Sequence, residues 1–151
     1  MMLSFRPDEF LENELMSDVS TTPVKLPKNR QPALRVMPMP GDLNPAGDVF
    51  GGWIMSMVDI AGGIAAHYRA RGRCATVAVN AFTFKQPVSV GDLVSFYADV
   101  VSVGRTSITV DVQVFAERNP ESLFVVKVTE AKLTYVALDD HGNKRPVPPA
   151  E

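Results

Sequence analysis

The sequence predicts an α+β fold in which a curved antiparallel β-sheet wraps around one long central α-helix. Three observations carry that expectation. A helix-length stretch, Gly51 to Tyr68, holds a single formal charge, Asp59, if His67 is neutral. After residue 74 the pattern changes from helical to alternating, as in half-buried strands. The order of segments is strand, helix, then four strands, which suits a helix covered by its own sheet rather than a chain of βαβ units.

Each element follows in turn. Residues 1–30 mix charges with Ser, Thr and Pro without periodicity and predict a weakly ordered extension, with residues 31–151 as a single domain. Ala33 to Met39 makes one short strand, its end placed at an edge or in a turn by Pro38 and Pro40. The Pro-, Gly-, Asn- and Asp-rich segment 40–48 breaks regular structure, and Gly51-Gly52 mark the helix entry. Arg71-Gly72 form the expected C-terminal stop. Segments 75–86, 93–103, 106–115 and 123–138 are rich in β-branched and aromatic residues. In the third of these, Ile108, Val110, Val112 and Val114 share one face, with Ser107, Thr109, Asp111 and Gln113 on the other. Hairpin turns are expected at Gly104-Arg105, at Pro87 to Asp92 and at Asn119 to Ser122.

Composition narrows the class. The chain has 151 residues, 46% hydrophobic and 21% charged, an ordinary balance for one globular domain. A net charge of −2 with scattered basic residues argues against nucleic-acid binding, which needs clustered Lys and Arg. Cys74 is the single cysteine and has no internal disulfide partner, and the N-terminus lacks a basic-then-apolar signal pattern, so a cytoplasmic protein is expected. Residues 51–68 do not read as a membrane span, because Asp59 would lie at the bilayer centre and four glycines and a histidine dilute the hydrophobicity.

Asp59 is the candidate for chemistry. Burying an unpaired carboxylate costs several kcal/mol or forces its proton affinity upward, so its place in an apolar helix asks for a reason. On a helix it shares a face with Gly52, Met55, Ser56, Gly62, Gly63 and Ala66, mostly small residues that let a ligand or another backbone approach. The structural alternative is that Asp59 caps a neighbouring backbone or pairs across a subunit contact. Gly51 and Gly52 add first-turn N–H groups with no intrahelical acceptor, able to point at a developing oxyanion. Asp48, three residues before the entry, either caps the helix or positions water or substrate. His67 and His141 form no metal cluster or nucleophile pair, Cys74 reads as a core thiol, Gly62-Gly63 as packing, and Met55 and Met57 as core or interface filler.

The string Met37 to Asp59 (MPMPGDLNPAGDVFGGWIMSMVD), then Phe82 to Asp92 (FTFKQPVSVGD) and Val103 to Ser107 (VGRTS), resembles the hotdog-fold acyl-CoA thioesterases, in particular the bacterial YciA-type branch related to cytosolic brain-type acyl-CoA hydrolases. The resemblance covers about residues 33–148. It implies the hotdog fold, dimers formed by pairing two sheets, often a trimer of such dimers, and active sites between subunits. Asp59 matches the helix carboxylate that acts as general base or nucleophile. Asp48 matches a position near the thioester that is Asp in this branch and Asn in relatives. Gly51 matches the glycine whose N–H polarises the thioester carbonyl, with Gly52 and Phe50 flanking the substrate. Phe50 departs from the His of several relatives, as the YciA-type branch does. Coenzyme A belongs to the substrate and no cofactor or metal is implied. Its phosphates need cations, for which Arg73 and Arg105 are candidates, with Thr76 a further contact. The competing activities are a hotdog dehydratase, which would need a different acid/base pair, and a module that binds acyl-CoA without hydrolysing it.

Overall fold

A computed structural model describes residues 23–151; the N-terminal part of the predicted extension, residues 1–22, lies outside the described residues. Five strands, β1 (Leu34–Val36), β2 (Cys74–Phe84), β3 (Leu93–Val103), β4 (Ser107–Arg118) and β5 (Phe124–Ala137), and one helix, α1 (Gly51–Ala70), follow in the expected order, with α1 between β1 and β2. The strands form one antiparallel sheet in the order β1-β3-β4-β5-β2. Register shifts in β2, in the β3–β4 ladder and at Val114/Phe115 mark bulges, the devices that bend and twist a sheet.

The core lies between α1 and the inner face of the sheet. Ile54, Val58, Ala61, Ala66 and Ala70 of the helix are buried against Val94, Phe96, Val128 and Leu133 together with the β4 row Ile108, Val110, Val112 and Val114. That row is the one expected from alternation. The helix carries apolar residues on its outer side as well. The sheet of one protomer covers only one side of it, and Met55, Ile60 and Tyr68 remain 44%, 48% and 77% exposed. No helix among the described residues is long and apolar enough to cross a membrane.

The helix ends where expected, but the left-handed residue is Arg71 (φ 51°), whose N–H lies 3.2 Å from the Tyr68 carbonyl. Arg145 donates to the Ala70 carbonyl at 2.9 Å, supplying a cation to the negative end of the helix dipole. Gly104 and Asn119 sit in the two turns anticipated for β3–β4 and β4–β5. The segment Pro87 to Asp92 is not a hairpin. It links β2, which pairs with β5, to β3, which pairs with β4, and so crosses from one side of the sheet to the other. Buried Asp92 anchors this crossover, accepting from the Ser89 N–H at 3.0 Å and from Arg118 Nε at 3.0 Å. At the start of the described chain, Arg30 pairs with Asp99 and lies over the Tyr97 ring.

Candidate active site

The helix entry is shaped by the loop before it. Asn44 Oδ1 accepts from the N–H groups of Ala46 and Asp48 at 2.9 and 3.1 Å, the Phe50 N–H reaches the Asp42 carbonyl at 2.7 Å, and the Val49 N–H reaches the Val88 carbonyl at 2.9 Å. Held this way, Phe50 becomes the residue preceding the helix, and no side chain caps the first turn. Asp48 is therefore not a helix cap. Its exposed carboxylate instead lines a pocket of about 390 Å³ with Gly51, Ile54, Phe84, Gln86 and Val88. Among the described residues the Gly51 and Gly52 N–H groups have no backbone acceptor, as first-turn donors should. The Phe50 ring folds over Gly52, where a Cβ would lie 2.6 Å from it.

Asp59 belongs to a second cluster. Thr76 donates its hydroxyl to Asp59 Oδ1 at 2.6 Å, and the Tyr135 hydroxyl lies 3.2 Å from the same oxygen and 3.0 Å from the Asp59 main-chain carbonyl. The half-buried carboxylate thus receives two neutral hydroxyl donors, neither a cation nor a backbone N–H, so among the described residues it is neither an ion-pair member nor a cap. Oδ2 has no partner among the described residues. Thr76 and Tyr135 are directly opposite in the β2–β5 ladder, which is why both reach one helix residue.

The sequence pattern alone does not single out Tyr135. Its one signal there is a phenol on the inward-facing row Ala131, Leu133, Tyr135 of β5, where a buried hydroxyl needs a partner. Gly62 goes with it. A Cβ there would lie 2.4 Å from the Tyr135 hydroxyl, so the packing role expected for the Gly62-Gly63 pair falls on Gly62 and serves a polar contact. Burial, then the charge of Asp59, push the Tyr135 phenol far above its usual range, and it remains a neutral donor.

The remaining candidates lie apart from these clusters. Arg73 lies just past the helix end, immediately before β2, and Arg105 occupies the β3–β4 turn; both are exposed, and their carbonyls hold the C-terminal segment through Leu138 and Val147. Burial raises the Cys74 thiol above its ordinary range, and the Arg145 charge offsets part of that rise. His67 is exposed two turns beyond Asp59, and no group of three or more His, Cys, Asp or Glu converges among the described residues. Within one chain the two candidate clusters are separate: eight residues of helix place Asp59 about 12 Å along the axis from Gly51.

Comparison with known proteins bears on this arrangement. A family model described as the thioesterase superfamily matches residues 46–122, a span that includes Asp48, Gly51, Asp59 and Thr76. The acyl-CoA thioester hydrolase YciA of Salmonella typhimurium is 45% identical over 117 residues, covering 76% of this chain and 88% of the relative. Among solved structures, a hexameric hotdog-fold thioesterase of Campylobacter jejuni is 43% identical with a TM-score of 0.76, over 79% of this chain and 91% of that one. A hexameric thioesterase of Yersinia pestis is 45% identical with the same TM-score of 0.76, over 83% of this chain and all of that one (100%). Identity at this level, over most of the chain and together with the shared architecture, places the protein in the thioesterase superfamily, with the hotdog fold.

Proposed function

We propose that the protein is a cytoplasmic acyl-CoA thioesterase, a homo-oligomer whose hotdog domain spans residues 31–151 and whose active site forms between two copies. The observation that carries this reading is the state of Asp59: one carboxylate oxygen is held by two hydroxyls and the other has no partner among the described residues, on a helix face of small residues. Such a group can take a proton from water.

In this reading Asp59 of one protomer works opposite Asp48 and the Gly51 N–H of its partner. Water held between the carboxylates attacks the thioester carbonyl carbon while its proton passes to Asp59. The carbonyl oxygen becomes an oxyanion, stabilised by the Gly51 N–H at the positive end of the helix. Collapse breaks the carbon–sulfur bond, and the thiolate of coenzyme A recovers the proton from Asp59. A thiolate leaves readily, so one carboxylate and one oxyanion donor suffice. Direct attack by Asp59, through an anhydride that water then opens, uses the same residues. Arg73 and Arg105 supply cations for the coenzyme A phosphates.

Three observations support assembly. β2 is a long edge strand with Val77 and Val79 half exposed, one helix face is uncovered, and the two clusters are too far apart to meet within one chain. Relatives of the chain are hexameric, which favours a trimer of dimers. A panel of short, medium, long and aromatic acyl-CoAs tests the activity, with release of free thiol as the readout. Turnover of at least one class is expected; no thiol release from any of them would overturn the reading.

A further inference from the structure

We infer that Tyr135 is a positioning residue that, admitted by the missing side chain of Gly62, fixes the Asp59 carboxylate so that Oδ2 is the reacting oxygen. This rests on the proposed role of Asp59. Tyr135 is 2% exposed and its side chain points from the sheet into the helix, where its hydroxyl meets both the main-chain carbonyl and Oδ1 of Asp59 at 3.0 and 3.2 Å. Thr76 approaches the same Oδ1 from the edge strand at 2.6 Å. A carboxylate turns readily about its last bond, and the two oxygens are otherwise equivalent. Here any turn short of a half would carry the bound oxygen off two donors anchored on two different strands, and a half-turn only exchanges the labels, so one oxygen stays held and the other, Oδ2 as drawn, stays turned away from them.

Gly62 makes the approach possible. Glycine inside a helix is less favourable than alanine, so its presence three residues after Asp59 asks for a compensating contact. A Cβ at position 62 would sit 2.4 Å from the hydroxyl and 3.1 Å from Cζ of Tyr135, whereas one at Gly63 would be in ordinary contact at 3.8 Å. An alanine at 62 would therefore push the hydroxyl off the carboxylate while leaving its chemistry intact.

Tyr135→Phe removes only the hydroxyl, and Gly62→Ala displaces it. Both are expected to lower kcat about tenfold, the scale of a hydrogen bond to a charged group, with KM within about twofold and the melting temperature within a few degrees. In Tyr135→Phe, adding Gly62→Ala should cost far less than it does in the parent. In Asp59→Asn, adding Tyr135→Phe should leave the residual rate unchanged, because the tyrosine acts only through the carboxylate. A loss of folded protein would instead scale the parental and residual rates alike. Parental kcat in Tyr135→Phe, or an equal proportional loss in the Asp59→Asn background, overturns the positioning role. The result is separable from failure of the underlying reading, which would appear as parental turnover in Asp59→Asn itself.

Discussion

Thr76 donates its hydroxyl to Oδ1 of Asp59 at 2.6 Å, tying the edge strand β2 to the middle of the helix through the one acidic side chain that the helix carries. Asparagine at position 59 keeps a carbonyl oxygen for this bond and for Tyr135 but cannot accept a proton or attack a carbonyl. Asp59→Asn should therefore fold with nearly parental stability and lose about two to four orders of magnitude in turnover, measured as thiol release beside the melting temperature. Asp48→Asn should be milder, a loss of roughly tenfold or less, because its carboxylate caps nothing and an amide still orients water or substrate. Asp59→Asn with parental activity would refute its catalytic role; loss of both activity and fold would make it a structural residue.

Self-association follows from the open edge of β2. Val77 and Val79 are 54% and 51% exposed on an eleven-residue strand that, among the described residues, is paired on one side only, a surface that invites a second strand. Sedimentation should show at least a dimer. Val77→Lys with Val79→Lys should shift the protein toward monomer and remove activity with it. A strictly monomeric species with full activity at assay concentration would defeat the shared-site arrangement.

Stability should fall at both ends of the pH range, for opposite reasons. Tyr135 and Cys74 have raised values in the folded chain, from ordinary values of 10.0 and 9.0, mainly through burial. Their unfolded forms release protons first, so the stability they contribute is complete below about pH 9 and is lost as pH rises through the folded values. Glu130 is lowered from its ordinary 4.5 by hydrogen bonds from Lys127 and Lys85. Its contribution is present above that value and is lost as pH falls through the folded one, and solvent screening keeps it small because the side chain is 42% exposed. Melting temperatures across pH should show both limbs, and Tyr135→Phe should flatten the alkaline one. An alkaline limb identical in that variant would contradict the assignment to Tyr135.

Local patterns in the chain reach a long way. A window with one acidic residue, closed by Arg71-Gly72, defines the helix, and strict alternation in β4 is enough to identify its buried row. The resemblance to thioesterases rests on contiguous strings, and so names Asp59, Asp48 and Gly51 together. Periodicity does not, however, reveal that Pro87 to Asp92 is a crossover. It reports which face of a strand is buried, and says nothing of which strand lies alongside.

The sequence by itself determined the helix, the strands, the family and the carboxylate on which the proposed chemistry turns, because each depends on residues near one another along the chain. Only the tertiary structure decided what surrounds that carboxylate. Thr76 lies 17 residues from Asp59 and Tyr135 lies 76 away, and they meet on one oxygen because the β2–β5 register sets them opposite each other and Gly62 leaves the helix open to a hydroxyl. The fold also leaves β2 at an edge and Asp48 exposed and capping nothing, distances along the chain having no bearing on either. Hydrogen bonding acts over about 3 Å of space, and the separation of its partners in sequence is set by the fold that brings them there.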